Sequence, residues 1–250
     1  MQLDPDLLLR AYAAGVFPMA DSRDAADVYW VQPRRRAILP LDGFRLSRSL
    51  RKTLRSDRFE VTRDRAFAEV VRRCASREET WINAEIERAY GGLHRRGHAH
   101  SIEAWAGGEL AGGLYGVRLG RAFFGESMFS RRADASKVAL AWLVARLKVG
   151  GFTLLDCQFM TDHLARLGAV EISQADYLVL LAEAVSGVAA GEGAGAAAGD
   201  GAAGAAGAAA SAAGAASFEA LDELLPARCS GGAGVGSSGW VIAQLIGETS

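Results

Sequence analysis

Between His100 and Cys157 the chain carries the pattern that most restricts its fold. Three runs rich in aliphatic and aromatic residues, Ser101–Ala106, Leu110–Val117 and Ala122–Phe129, are separated only by short breaks containing Gly107-Gly108 and Leu119-Gly120. Breaks of this kind read as hairpin turns, so the runs predict three consecutive antiparallel strands. A nearly continuous apolar stretch from Ala135 to Val149 then stops at Gly150-Gly151. It is too long for a strand and predicts a buried helix. Phe152–Cys157 reads as a fourth strand and Asp162–Leu167 as a short helix, and Ser173 caps a further helix to about Val185. Strands in succession, then helix, strand and helix, predict an α+β fold: a mixed sheet with helices on its faces.

Upstream, Asp4-Pro5 opens a helix that Gly15 ends. Val16-Phe17-Pro18-Met19 is a rigid apolar turn, and Ala37-Ile38-Leu39 a short strand. Ser47 caps a helix to about Ser56, Asp64 another to about Cys74, and a third runs from Asn83 to Gly97. From Ala189 to Ser217 every residue is Ala, Gly or Ser except Glu192 and Asp200. Interspersed Gly opposes helix and no large side chain is present to pack, which predicts a flexible insertion. Trp240 to Ile246 is predicted to return as a strand. The chain thus divides into a small N-terminal domain (1–60), a larger domain (61–188), the insertion (189–217) and a tail (218–250).

The formal net charge of -1 conceals an uneven distribution. Residues 34 to 77 hold 14 basic and 5 acidic side chains, a local excess that suits a polyanion or a solvated face. Arg48, Arg51, Lys52 and Arg55 share one face of the predicted helix and, beside Arg34-Arg35-Arg36, form a cationic stripe able to follow a phosphate backbone. Cys74, Cys157 and Cys229 form no CxxC pair, and His98 and His100 have no third ligand, so neither a disulfide framework nor a metal site is expected. No P-loop is present, and Gly112-Gly113 with Gly116 makes no dinucleotide fingerprint. No signal peptide and no 18-residue apolar run are found, which predicts a soluble, cytoplasmic chain.

Two carboxylates stand out because they interrupt apolar strands. Glu126 lies within Phe124-Gly125-Glu126-Ser127-Met128-Phe129-Ser130, and Asp156 ends a buried strand before Cys157-Gln158. A buried acid needs a partner, and strand ends are where mixed sheets place ligands. Glu126, Asp156 and Gln158 together suggest an acidic pocket for a cationic group. Tyr12, Phe17, Tyr29, Trp30 and Trp81 could stack on unpaired bases or belong to a core.

These residues coincide with a known family. Ala11–Met19, Ser47-Arg48-Ser49, Thr80-Trp81-Ile82, Gly97–Glu103, Gly112–Val117, Gly125–Ser130, Ala135-Ser136-Lys137 and Leu155–Gln158 occur in the order of the bacterial leucyl/phenylalanyl-tRNA–protein transferases, which the chain resembles over residues 3–185. The resemblance implies a small N-terminal domain followed by a domain with the fold of GCN5-related acetyltransferases. The activity it implies is transfer of leucine, phenylalanine or methionine from aminoacyl-tRNA to proteins that begin with Lys or Arg, marking them for degradation. It implies a cytoplasmic monomer that needs no metal or cofactor. Carried over by position, Asp156, Gln158 and Glu126 are catalytic. Trp81, Met128, Leu114 and Leu155 fall where the substrate binds; to these the reading of the residues themselves adds Tyr12 for the substrate and Arg34, Arg48, Arg51, Lys52 and Arg55 for the tRNA. The Ala/Gly insertion is unlike the family. Tyr29 stands where relatives often have Trp, and Met19 where some carry an aromatic. Two alternatives share these features: an N-acetyltransferase using acetyl-CoA, against which the absence of a glycine-rich loop before Ala135 speaks, and a non-catalytic tRNA-binding module.

Overall fold

The computed structural model describes residues 3–77, 79–186, 216–229 and 237–247. The predicted insertion at 189–217 therefore lies outside the described residues except for its last two positions. Helix α1 (Pro5–Ala13) is capped by Asp4 and leads into a two-stranded sheet of β1 (Phe17–Met19) and β2 (Tyr29–Val31). Then follow β3 (Arg35–Ile38), α2 (Arg48–Arg55), β4 (Glu60–Arg63), α3 (Phe67–Ala75) and α4 (Ala84–Arg95). The predicted hairpins are β5 (Ala99–Ala106), β6 (Glu109–Leu119) and β7 (Ala122–Ser130), followed by α5 (Ala135–Val149) and β8 (Leu154–Asp156). The chain continues through α6 (Asp162–Arg166), β9 (Val170–Ser173), α7 (Gln174–Val185), α8 (Ala220–Cys229) and α9 (Ser238–Leu245).

Seven strands form one mixed sheet in the order β4-β5-β6-β7-β8-β3-β9. Only β7 and β8 pair in parallel, because α5 forms the crossover between them. One face of the sheet is covered by α5 with α2, α8 and α9, the other by α1, α3, α4 and α7. Helix α5 is apolar all round because it is enclosed between sheet and outer helices. Its one fully buried charge, Arg146, pairs with Asp222 of α8. Strand β3 lies inside the large sheet, between β8 and β9, so that sheet runs across the division drawn at residue 60.

Two local expectations fail for physical reasons. Asp64 does not cap α3. It adopts a left-handed backbone (φ 59), and its carboxylate accepts from the Ser101 amide at 2.9 Å and contacts His100 Nδ1 at 2.8 Å. Residues 240–246 form a helix, not a strand. Val241, Ile242, Ala243 and Ile246 are buried, and Gly239 approaches the Leu54 carbonyl so closely that a Cβ would lie 2.0 Å from it. Burial against α2 and α5 outweighs the strand preference of Val and Ile.

Candidate active site

Pairing between β7 and β8 stops at Phe124↔Asp156. Beyond that point the strands separate, and Glu126 and Gln158 each stand two residues past the last pair, on the same side. A bulge reinforces this placement. Tyr115 pairs with Ser127 and Gly116 with Gly125, which leaves Glu126 as the extra residue of β7. Bulges re-aim side chains at sites of this kind. Gly116 permits the bulge, since a Cβ there would lie 2.2 Å from the Phe124 carbonyl.

The separation opens a cavity of about 410 Å³ between the sheet and α5. Leu114, Met128 and Leu155, all expected there, line it together with Leu140 and Leu143 of α5. Trp81, Glu126 and Gln158 line its polar side. Phe17 and Met19, singled out in the sequence without an assigned role, also contribute, as do Arg77, Cys157, Phe159 and His163, which the sequence reading did not assign to the site. Phe159, one residue past Gln158, is 46% exposed with its ring edge-on to Phe17 at 5.8 Å. The Ala20 amide donates to the Trp81 carbonyl at 3.0 Å and so ties the small sheet to the cavity wall. Tyr29 lies opposite Met19 in that sheet.

Asp156 is not part of the wall. It is fully buried, and its carboxylate is enclosed by donors. Arg36 Nε donates to Oδ1 at 2.9 Å and Arg36 Nη2 to Oδ2 at 2.6 Å; the Tyr177 hydroxyl adds a bond to Oδ2 at 2.9 Å. The Gln158 amide donates to Oδ1 at 2.9 Å. That last bond closes a tight turn and accompanies a left-handed backbone at Gln158 (φ 57), a conformation that costs about 1–3 kcal/mol for a non-glycine residue. The pocket thus presents one carboxylate, where two were expected. Arg36, read as part of an exposed basic triple, is 1% exposed, and Arg35 pairs with Glu171 at 2.9 Å.

Glu126 has a different environment. The Tyr12 hydroxyl donates to Oε1 at 2.7 Å, the Tyr90 hydroxyl to Oε2 at 2.9 Å, and Gln158 Nε2 to Oε1 at 3.2 Å. The two hydroxyls also contact each other at 2.5 Å. With both hydroxyls donating to a charged Glu126 no hydrogen is left between them; when Glu126 takes a proton it donates to Tyr12, Tyr12 to Tyr90 and Tyr90 back to Oε2, so the ring accommodates both forms. Burial pushes the Glu126 carboxyl up to about 7 against the pull of the tyrosines. Tyr12, expected to touch substrate, is fully buried behind Glu126 and does not line the cavity.

Arg48, Arg51, Lys52 and Arg55 do come together, along an open groove on α2. Arg34 is exposed in the turn before β3 and does not line that groove. Among the described residues no cluster of three His, Cys, Asp or Glu could hold a metal, and no helix is long and apolar enough to cross a membrane.

Residues 38–182 match the family described as leucyl/phenylalanyl-tRNA protein transferase, and residues 1–34 match the N-terminal domain of the same family. A leucyl/phenylalanyl-tRNA–protein transferase of Rhizorhabdus wittichii is 71% identical over 196 residues, covering 77% of this chain and 79% of the relative. Relatives of the same name from Zymomonas mobilis and Cereibacter sphaeroides are 63% and 62% identical, over 74% and 75% of this chain and 70% and 87% of their own lengths. Family matches on both sides of residue 36, and relatives that share most of the described chain, lead to one conclusion: the chain belongs to the leucyl/phenylalanyl-tRNA–protein transferase family of enzymes.

Proposed function

We propose that this enzyme moves leucine, phenylalanine or methionine from aminoacyl-tRNA to the α-amine of proteins beginning with Lys or Arg, in the cytoplasm, marking them for degradation. The observation that carries the reading is the leucine-lined cavity of about 410 Å³ with Glu126 and Gln158 side by side on its polar side. A cavity of that size, floored by Leu114, Met128 and Leu155, suits a medium apolar side chain. Met128 is unbranched and polarizable, and adapts to more than one such shape.

The donor is an ester, so its aminolysis runs downhill, and the enzyme's task is to position the amine. An α-amine with a pKa near 7.7–8.0 is neutral in about a tenth of molecules at pH 7. Gln158 Nε2 is committed to Glu126, which leaves Gln158 Oε1 to accept from the incoming amine and aim its lone pair at the ester carbonyl. Glu126 attracts the ammonium form and, titrating near 7, is matched to receive the proton the amine sheds. Asp156 acts as a positioning residue. Its charge is neutralised by Arg36 and it reaches the chemistry only through the Gln158 backbone. Positioning of this kind lowers barriers by several kcal/mol. Trp81 offers a ring for the terminal adenosine, and the α2 groove a track for tRNA phosphates. The preference for Lys or Arg rests on the family resemblance and on the single negative charge at the cavity.

The test is transfer of radiolabelled leucine from leucyl-tRNA to two peptides, one beginning with Arg and one with Ala. Label on the first and none on the second is expected; equal labelling refutes the acceptor assignment.

A further inference from the structure

The cavity does not end at its apolar floor. A second hollow of about 460 Å³ adjoins it, and Arg77, Met128 and His163 border both. Its remaining walls include Arg73, Arg131, Ser76 and Ser136, and no acidic residue lines it among the described residues. It lies at the junction between β7 and α5.

Three observations mark this groove as built for an anion. Ser136 lines the hollow with a hydroxyl that makes no hydrogen bond among the described residues. His163 Nε2 is buried with no partner. A buried polar atom left alone costs about 1–3 kcal/mol, so His163 at the edge of this hollow calls for a ligand. Arg131 is exposed and makes no ion pair among the described residues, in contrast to Arg132 beside it, which bonds Glu109 at 3.2 Å. Helix α5, fifteen residues long, starts here with no cap from its N-cap residue Asp134, the Ser136 amide bonding the Ser130 hydroxyl at 3.3 Å, and that end of a helix favours negative charge.

We propose that this groove binds a phosphodiester of the donor's single-stranded 3′ end, the one linking the terminal nucleoside to its neighbour, with Arg131 and Ser136 as its principal ligands. The proposal rests on the donor being an aminoacyl-tRNA. The nucleic-acid strand leaving the cavity then passes a hollow that shares three residues with it. The groove is separate from α2 and holds the strand at the reacting end. Its role is to fix the ester relative to Gln158, where α2 only gathers the tRNA body.

Two minimal donors isolate this contact: the 3′-leucyl ester of adenosine, and the 3′-leucyl ester of cytidylyl-adenosine, which adds one phosphodiester. In the unaltered enzyme the second donor is expected to have a KM about tenfold lower, the effect of one charge-assisted hydrogen bond. Arg131→Gln removes that advantage and leaves kcat and KM for the adenosine donor unchanged; Arg132→Gln keeps it. An Arg131→Gln enzyme that retains the advantage, or loses equally with both donors, overturns the proposal. Should the unaltered enzyme transfer leucine from neither truncated donor, transfer from leucyl-tRNA decides whether the proposed activity stands. The groove is then read by binding of a fluorescent CCA trinucleotide: about tenfold weaker binding in Arg131→Gln supports it, and equal binding overturns it.

Discussion

Replacing Arg36 with Met tests the central electrostatic feature of the fold. Arg36 is 1% exposed, and three of its hydrogen bonds go to Asp156. A fourth, from Nη1 at 3.1 Å, satisfies the Gly15 carbonyl, and the rings of Phe17 and Tyr177 flank the guanidinium at 4.7 and 4.5 Å. Met fills much of the space but leaves a carboxylate in the interior with only Tyr177 and the Gln158 amide as donors, and an orphaned carbonyl at Gly15. Breaking a buried pair in this way costs about 3–5 kcal/mol. Urea unfolding read by tryptophan fluorescence measures the loss, and Asp156→Asn in the same background separates its causes. Asn still accepts from the Gln158 amide but carries no charge, so Arg36→Met/Asp156→Asn should be more stable than Arg36→Met by about 2 kcal/mol. Since Asp156 holds Gln158 in its left-handed turn, kcat of Arg36→Met should fall with little change in the KM for tRNA. A single-variant loss below about 1 kcal/mol, or a double variant whose loss is the sum of the two single ones, refutes the view that Arg36 neutralises Asp156.

Glu126 holds its proton more tightly folded than unfolded, with a carboxyl at about 7 against an ordinary value of 4.5, so it contributes stability below about pH 4.5 that is lost as pH rises to about 7. The loss amounts to about 3 kcal/mol, and Glu126→Gln should remove it; parallel pH–stability curves for the two proteins between pH 5 and 8 would falsify this assignment. Met128→Ala widens the donor cavity and should raise the KM for leucyl-tRNA about tenfold and for phenylalanyl-tRNA less, measured with each donor separately. Gly116→Ala places a Cβ 2.2 Å from the Phe124 carbonyl and 2.4 Å from the Phe123 ring, and should lower stability by about 3 kcal/mol, seen as a shift of the urea midpoint.

The elements most plainly legible from sequence are those with a long repeat or with a capping residue at the start, such as Asp4 before α1, Ser47 before α2 and Ser173 before α7. The three hairpin strands and α5 each extend over eight residues or more, enough for alternation, turns and apolar length to agree. Strands β1, β2, β4 and β9 have three or four residues and no alternation of their own; they exist because a neighbouring strand pairs with them. Gly112, Gly113 and Gly116 were visible only as glycines that fit no nucleotide motif. Their reason is close approach: at Gly112 a Cβ would lie 2.6 Å from Ala135 of α5. Burial of Arg36 had no local signal, because an arginine between two others reads as solvated by default.

Asp156 and Glu126 are alike in sequence, each an acid in an apolar strand, and the surrounding chain divides their tasks. Asp156 receives a guanidinium supplied from 120 positions upstream and becomes a fixed charge that shapes the backbone. Glu126 receives only neutral donors, two tyrosine hydroxyls and an amide, which hold it in place without stabilising its charge enough to offset burial. Asp156, enclosed by Arg36 and Tyr177, does not reach the cavity to exchange a proton there. A carboxyl balanced near 7, within 3.2 Å of the amide that aims the amine, can do so in each turnover. Under the proposed mechanism, separate environments give one of two acids on adjacent strands to geometry and the other to proton transfer, and the bulge in β7 is what sets them apart.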